Sequence, residues 1–171
     1  VDKRILERLG PDERQSLRHL AREPLDFMDN NSFHGAGAEE RIMAPIEVDG
    51  SHPIQRFIQA VADPIGDPGE MDIPEGAVLT TAQEQAMFTQ YNYCRYRLTH
   101  LANEAGGRVT SVGRLRDMFA WFSRVLELRD QLVNANMPLV LAMAKRTRLS
   151  NVNFSELISE GNMALLRAIE K

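Results

Sequence analysis

Two carboxylates, Glu156 and Glu160, stand four positions apart in a stretch of helical periodicity near the end of the sequence. Side chains at that spacing lie on one face of an α-helix, and like charges there repel each other by about 0.2–0.5 kcal/mol. A cation on a partner would relieve this repulsion, so the pair suits the binding of a basic surface. An ordinary solvated acidic face explains the same spacing, and that alternative stays open.

The groups that usually carry enzymatic chemistry form no constellation. The four histidines are scattered without metal-ligand spacing, and Cys94 lies on an apolar helical stripe, where a buried and inert thiol is expected. Residues 35–37 are followed by acids rather than by the Lys-Ser/Thr of a phosphate loop. The acids at 39–40 and 67–72 lack the EF-hand pattern. We therefore predict no enzymatic activity, no metal site and no cofactor.

Tyr91, Tyr93 and Tyr96 are interleaved with Arg95 and Arg97. Aromatic rings and guanidinium groups at this density can stack on nucleic-acid bases. They can equally pack into a core, with the arginine stems covering apolar surface. The sequence leaves both interpretations open.

The net charge of −4 is unevenly distributed. Residues 24–90 carry two basic and twelve acidic side chains, whereas residues 91–171 carry twelve basic and seven acidic ones. The basic half could meet phosphate, and the acidic half could mask it in the free protein. Alternatively, both sets of charges only solubilise their surfaces.

Proline and glycine divide the N-terminal part into short elements. Gly10 and Pro11 separate two short predicted helices within residues 1–22, because proline suits the first position of a helix. Six prolines follow in residues 23–78, so this acidic segment cannot hold long helices, apart from a short one predicted around residues 52–62. We expect the segment to be mobile or loosely packed.

Helical periodicity dominates from Leu79 onward. Thr81 and Glu84 predict a capping box at the start of one helix, which Gly106-Gly107 ends. A longer helix is predicted to begin near Ser111.

Pro138 lies inside the apolar pattern of the longer helix, so we expect that helix to be bent or split near Asn136. Asn153 is predicted to cap the last helix, with Glu156 closing a capping box. Gly161 costs about 1 kcal/mol relative to alanine in mid-helix. Close packing of a partner's backbone, or an internal helix crossing, would explain that glycine. The inward stripe of the last helix is predicted to be Phe154, Leu157, Ile158, Leu165, Ala168 and Ile169.

The predicted fold class is all-α, a helical bundle with a long kinked helix, preceded by an acidic, proline-rich irregular segment. We divide the chain into residues 1–78, with short helices and the irregular segment, and residues 79–171, a helical domain. No apolar run approaches the ~20 residues that span a bilayer, so no membrane association is expected. The single cysteine excludes an internal disulfide framework and favours the reducing cytoplasm.

The segment Asp130–Arg146 resembles the first helix of the second region in bacterial RNA polymerase sigma factors of the primary, housekeeping-like class. Phe154–Leu165 follows at the family's spacing and is similar to its pattern F-x-D-L-I-Q-E-G-N-x-G-L, so the resemblance covers Arg129–Lys171. Residues 79–98 and, more weakly, residues 24–33 are similar to a planctomycete-type branch. The sequence departs from the pattern at three positions, with Glu156, Ser159 and Ala164 in place of Asp, Gln and Gly.

The resemblance implies that the last helix docks onto the coiled-coil clamp helices of the large β′ subunit of core RNA polymerase. A basic coiled coil would pair the two carboxylates, and the polar docking residues are expected on one outward face. A serine in place of glutamine shortens the reach at its position, which is expected to reduce affinity. Carried over position by position, the docking residues are Glu156, Ser159, Glu160, Asn162 and Leu166.

The resemblance also implies contacts with promoter DNA. The family's groups that match Asn136 and Leu139 help to hold a flipped promoter base. Lys145 and Arg146 would then lie near the DNA backbone. Pro138 is expected to perturb this surface.

The family's next helix, which melts and reads the minus-ten promoter element, does not follow in the sequence, and neither do the segments that read the minus-thirty-five element. We therefore expect part of a longer protein, which does not open a promoter by itself. The functional hypothesis is a sigma-like initiation factor that recruits core polymerase and, in the complete protein, directs promoter recognition and melting. The alternative is a regulatory or adaptor module that binds polymerase, or an anti-sigma partner, without promoter recognition.

Overall fold

The computed structural model describes residues 2–23, 26–46, 79–106, 109, 111–146 and 153–170. Within these ranges there is no β-strand, so the predicted all-α class is confirmed. The predicted helix around residues 52–62 and the division after residue 78 lie outside the described residues, and both stay predictions. The helices are α1 (Lys3–Arg8), α2 (Pro11–Leu20), a 3₁₀-helix (Asn31–His34), α3 (Ala38–Ile42), α4 (Thr81–Glu104), α5 (Val112–Arg146) and α6 (Phe154–Glu170).

The chain forms two compact units. The first consists of Val1–Pro45 and Ala86–Leu128, and the second of Ile46–Gln85 and Arg129–Lys171. In the part of the chain that the structure describes, no helix combines the length and the apolar character needed to cross a bilayer.

The first two helices divide at Gly10 and Pro11, as predicted. Asp2 caps α1 by accepting a 2.9 Å hydrogen bond from a backbone N–H of the first turn. Pro11 is the first residue of α2, where a missing N–H costs no hydrogen bond. The Glu13 carboxylate accepts hydrogen bonds from the Gly10 N–H at 3.0 Å and from Arg116 Nε of α5 at 2.9 Å, which ties α2 to α5.

The pKa of the Glu13 carboxyl lies below its ordinary value of 4.5, because the Gly10 N–H and then the Arg116 guanidinium favour the ionised form. The folded-state pKa is therefore lower than the unfolded-state one. The stabilisation from ionised Glu13 is fully present above about pH 4.5 and is lost as the pH falls through the folded-state pKa.

We expect Glu13→Gln to lower the thermal unfolding midpoint at pH 7, because the amide carries no charge to pair with Arg116. The difference from the parent protein should shrink as the pH falls below 4.5 through the folded-state pKa of Glu13, because the parent's carboxyl then becomes neutral. Circular dichroism melts of both proteins in a series of buffers from pH 7 downward measure this. A difference that stays constant across the series would contradict the assignment.

Within the first unit, α4 has a continuous buried face. It ends at Glu104 and is followed by Gly106 in the left-handed conformation, with φ of +56°, as the glycine pair predicted. Its buried apolar and aromatic side chains are Met87, Tyr91, Tyr93, Cys94 and Leu98. On α5 the buried residues of the same unit recur at helical spacing and are Leu115, Met118, Trp121, Phe122, Val125 and Leu128.

The start of α4 differs by one residue from the predicted capping box. Thr80, not Thr81, caps the helix: its hydroxyl accepts from the Gln83 N–H at 3.3 Å, and Gln83 Oε1 accepts from the Thr80 N–H at 2.9 Å. The predicted box of Thr81 and Glu84 is therefore wrong. Two adjacent threonines, each with a Glu or Gln three residues later, made the two registers equivalent in the sequence.

Residues 26–46 pack against α4, so the expected mobile or loosely packed character is wrong for this stretch. Phe33 is only 4% exposed, and its ring meets the Tyr93 ring edge-to-face with centroids 5.4 Å apart. Gln90 Nε2 donates a 2.7 Å hydrogen bond to the carbonyl oxygen of Ala44. These contacts join positions far apart in sequence, and helical periodicity does not reveal them.

The tyrosines of α4 pack within the protein. Tyr91 and Tyr93 are buried, and the Tyr96 ring lies 5.4 Å from the Phe27 ring and 5.5 Å from the Phe33 ring, measured between centroids. The structure therefore favours the packing interpretation of this aromatic run over stacking on bases.

Cys94 is fully buried, and its Sγ lies 3.8 Å from Met43 Sδ. Burial raises the pKa of the Cys94 thiol to about 12, which keeps it protonated. The expected inert thiol is confirmed.

Helix α5 continues across Pro138 from Val112 to Arg146. The alternative that the helix is split near Asn136 is therefore wrong. Pro138 is itself fully buried, and the Asn136 amide donates a 2.9 Å hydrogen bond to the Leu132 carbonyl one turn earlier.

Candidate functional site

The N-terminus of α6 is capped by Asn153, as predicted. Its side-chain oxygen accepts hydrogen bonds from the Ser155 N–H at 3.1 Å and from the Ser155 hydroxyl at 3.0 Å. The Glu156 N–H donates a 3.0 Å hydrogen bond to the Asn153 carbonyl oxygen. No side-chain hydrogen bond of the described residues joins the Glu156 carboxylate to the Asn153 N–H, so the expected closing of a capping box by Glu156 is not observed. Ser155 is the residue that bonds to the capping side chain of Asn153, and the Glu156 carboxylate is exposed.

Gly161 lies where α6 approaches α5. A Cβ atom built on Gly161 would come within 2.5 Å of Val140 Cγ1, closer than side chains tolerate. Val140 is buried and β-branched, so it has little freedom to move aside. The glycine is thus explained by an internal helix crossing, which was one of the two alternatives left by the sequence.

We expect Gly161→Ala to lower the free energy of unfolding by about 1 kcal/mol. Overpacking destabilises the folded state by about 1–3 kcal/mol, and the better helix propensity of alanine offsets about 1 kcal/mol of this. Urea denaturation measures this, and the cost should shrink in a Val140→Ala background.

Gly113→Ala is the matched control for this substitution. A Cβ on Gly113 meets only Ser111 Oγ at 3.6 Å, an ordinary contact, so no loss of stability is expected. A Gly161→Ala protein at least as stable as the parent would show that the crossing tolerates a side chain.

The outward face of α6 carries a row of four exposed side chains, Glu156, Glu160, Met163 and Arg167. At 100° per residue they lie about 100–160° around the helix axis from Gly161, so they face away from the crossing with α5. Met163 is 48% exposed and lies one turn from Glu160. The sequence prediction included both glutamates but missed Met163. Residues three apart share a helix face, so the spacing from Glu160 places Met163 on the outward face.

The remaining predicted docking residues are placed differently from one another. Ser159 is exposed, and its hydroxyl donates a 2.9 Å hydrogen bond to the Ser155 carbonyl of the same helix. Leu166 is half-buried. Asn162 does not share the outward face that was expected for it, because its Oδ1 atom is buried without a hydrogen-bond partner among the described residues. Its position lies about 160° around the helix from Glu160.

The two outward carboxylates make no ion pair with any residue that the structure describes. The third carboxylate of α6, that of Glu170, behaves differently: it lies 3.5 Å from Arg129 NH1 of α5. Glu156 and Glu160 therefore keep their charge directed to solvent, whereas Glu170 helps to hold α6 to α5. The spacing of the three glutamates did not distinguish these roles.

The inward stripe of α6 is only partly covered. Ile169 is buried, whereas Phe154, Leu157, Ile158 and Leu165 are half-buried. Ala168 is exposed, which differs from its predicted inward position.

The candidate DNA-contacting residues lie on the second half of α5. Asn136 is half-buried, and Leu139 is 53% exposed one turn later. Met143, a further turn along, is 60% exposed and was missed, because an apolar residue at helical spacing is ordinarily assigned to a core. Lys145 and Arg146 are the last two residues of α5, and their side chains lie outside the described part of the structure.

Among the side chains that the structure describes, no group of three or more His, Cys, Asp or Glu residues could hold a metal ion. On α6, the carboxylates of Glu156 and Glu160 lie beside the exposed thioether of Met163. Such a surface can pair with basic side chains and make an apolar contact beside them.

Part of this sequence is similar to known proteins, among them two RNA polymerase sigma factors. The chain is 30% identical over 110 residues to RNA polymerase sigma factor sigF, chloroplastic, of Arabidopsis thaliana, an alignment that covers 57% of this chain and 20% of the relative. It is 44% identical over 45 residues to RNA polymerase principal sigma factor HrdC of Streptomyces coelicolor, covering 26% of this chain and 13% of the relative. No protein-family model and no solved structure matches the chain.

The chain thus spans a fifth or less of the length of these sigma factors. Their similarity supports the resemblance to RNA polymerase sigma factors. The primary class and the planctomycete-type branch stay predictions.

Proposed function

We propose that this chain is the polymerase-binding part of a sigma-like transcription initiation factor of the primary class, acting by binding and not by catalysis. Its partner is the coiled coil of clamp helices in the β′ subunit of core RNA polymerase. In the complete protein the same region directs promoter recognition and melting. We retain residues 79–171 as the domain responsible and the cytoplasm as its compartment.

The observation that carries this proposal is the outward row of α6. Glu156 and Glu160 are exposed and make no ion pair among the described residues, so they are available to arginine or lysine side chains of a basic rod. Met163 lies beside them and supplies an adaptable apolar contact. Leu166 completes the surface at its edge. We propose no direct contact for Asn162, because its amide oxygen is buried.

We expect Glu160→Lys to weaken binding to a purified β′ coiled-coil fragment at least about 30-fold, because replacing one member of an interfacial charge pair costs about 2 kcal/mol or more. Titration calorimetry with the full chain measures the affinity. Helicity should be unchanged, since a lysine at 160 lies one turn after Glu156 and forms a favourable pair with it.

The matched control is Glu7→Lys, which makes the same charge change at an exposed position of α1. It should leave the affinity within about twofold. Equal losses in both variants would mean that overall charge drives the association, and undiminished binding by Glu160→Lys would remove α6 from the interface.

For DNA, we propose that Asn136 and Leu139 contact an unstacked promoter base in the complete protein, with Lys145 and Arg146 near the backbone. Met143 extends the exposed apolar side of α5 beside Leu139, and such side chains suit the face of a base. The buried Pro138 is compatible with this surface, because it lies away from the exposed side of the helix.

The acidic segment is proposed to mask the basic half. Deleting residues 24–90 would remove Phe33 and the start of α4, so substitution within residues 47–78 is the better test. Replacing the seven carboxylates of that segment by amides should raise the affinity for labelled duplex DNA at low salt and steepen its dependence on salt concentration. Fluorescence anisotropy measures both.

As a control, the exposed acids Glu7, Asp12 and Asp117 are converted to amides. They should change the DNA affinity less per charge removed, because they lie outside the acidic segment. If the segment variant binds DNA no better than the parent, the masking idea fails.

A further inference from the structure

A cavity of about 580 Å³ opens in the first unit between the stretch that holds the 3₁₀-helix and α3 and the C-terminal half of α4. Its volume is within the range of ordinary ligand sites. The rings of Phe33, Tyr93 and Tyr96 line it, together with the carboxylates of Glu40 and Glu104. Neither the proposed polymerase surface nor the proposed DNA surface uses this cavity.

The charges around the cavity favour a cation. Glu39 and Arg97 also line the cavity and pair with each other at 3.1 Å, and Glu39 lies 3.9 Å from Arg124. Glu40 is exposed and makes no ion pair among the described residues. Glu104 lies 3.6 Å from His100, which balances it only when the imidazole is protonated. Neither carboxylate forms an ion pair with an arginine or lysine in the described part of the protein, although Arg114 NH1 donates a 3.4 Å hydrogen bond to the backbone carbonyl of Glu104.

The same unit shows how this chain holds a guanidinium group. Arg97 and Arg124 lie over the Trp121 ring, with Cζ atoms 5.0 Å and 4.8 Å from its centroid, and Glu39 pairs with both. An aromatic face and a carboxylate together hold a guanidinium by cation–π attraction and a charge-assisted hydrogen bond. The cavity offers the same two components, the Tyr96 ring and the carboxylates of Glu40 and Glu104.

We propose that this cavity receives an arginine side chain from a basic segment of a partner protein. The guanidinium contacts the Tyr96 ring and pairs with Glu40 and Glu104. Arginine suits the site better than lysine, because its planar group stacks on a ring and binds a carboxylate through two parallel hydrogen bonds. Nucleic acid is disfavoured here, since its phosphates would meet the carboxylates of Glu40 and Glu104. The inference is independent of the polymerase proposal.

The test uses the full chain and the peptide acetyl-Arg-Arg-Arg-Arg-amide. Trp121 is the single tryptophan of the chain, and its ring lies 5.9 Å from the Tyr93 ring, so its fluorescence reports on the cavity wall. We expect a saturable change on titration. The double variant Glu40→Gln/Glu104→Gln should bind at least about fivefold more weakly, because two ion pairs are lost. The matching tetra-lysine peptide should bind the parent protein more weakly than tetra-arginine.

The control is Glu7→Gln/Asp117→Asn, which removes the same charge from exposed positions outside the cavity. It should bind tetra-arginine as the parent does. Tyr96→Leu, checked for folding by circular dichroism, should weaken binding by removing the ring. The proposal is overturned if no saturable binding occurs, if the Glu40→Gln/Glu104→Gln protein binds unchanged, or if the control loses as much affinity.

Discussion

The close approach of α6 to α5 at Gly161 and Val140 decides what α6 can offer to a partner. A Cβ atom at position 161 would crowd Val140, so the side of α6 that carries Gly161 faces α5. The 100° step of the helix then sends Glu156, Glu160 and Met163 to the opposite side. The Arg129–Glu170 pair holds the far end of α6 to the same helix. The packing requirement and the proposed binding surface are therefore two consequences of one contact.

The first unit is organised by a different kind of interaction, a network of aromatic rings and guanidinium groups. The Phe33 ring lies against the Tyr93 and Tyr96 rings, and two arginines that share Glu39 lie over the Trp121 ring. Rings and planar cations fix mutual orientation more strictly than aliphatic contacts do. This explains how residues 26–46, which have little regular structure, are held against α4.

Features set by local chemistry could be predicted from the sequence. Gly10 and Pro11, Gly106 and Asn153 mark helix ends because a proline ring, a left-handed backbone or a capping side chain acts within one turn. Contacts between distant residues could not be read in this way, as the burial of Phe33 shows. Asn162 lies about 160° around α6 from Glu160, so the helical period itself argued against the outward position that was expected for it. Met143 was missed because an apolar residue at helical spacing is ordinarily assigned to a core, whereas the spacing of Met163 from Glu160 did indicate its outward position.

The burial of Cys94 has a practical consequence for study of this chain. Its thiol is shielded from solvent and stays protonated at neutral pH, so it does not compete for thiol-reactive dyes or cross-linkers under native conditions. A cysteine introduced on the outer side of α6 would then be the one reactive thiol of the folded protein. Spin labels, fluorophores and photo-cross-linkers can be attached there with the native residue left in place.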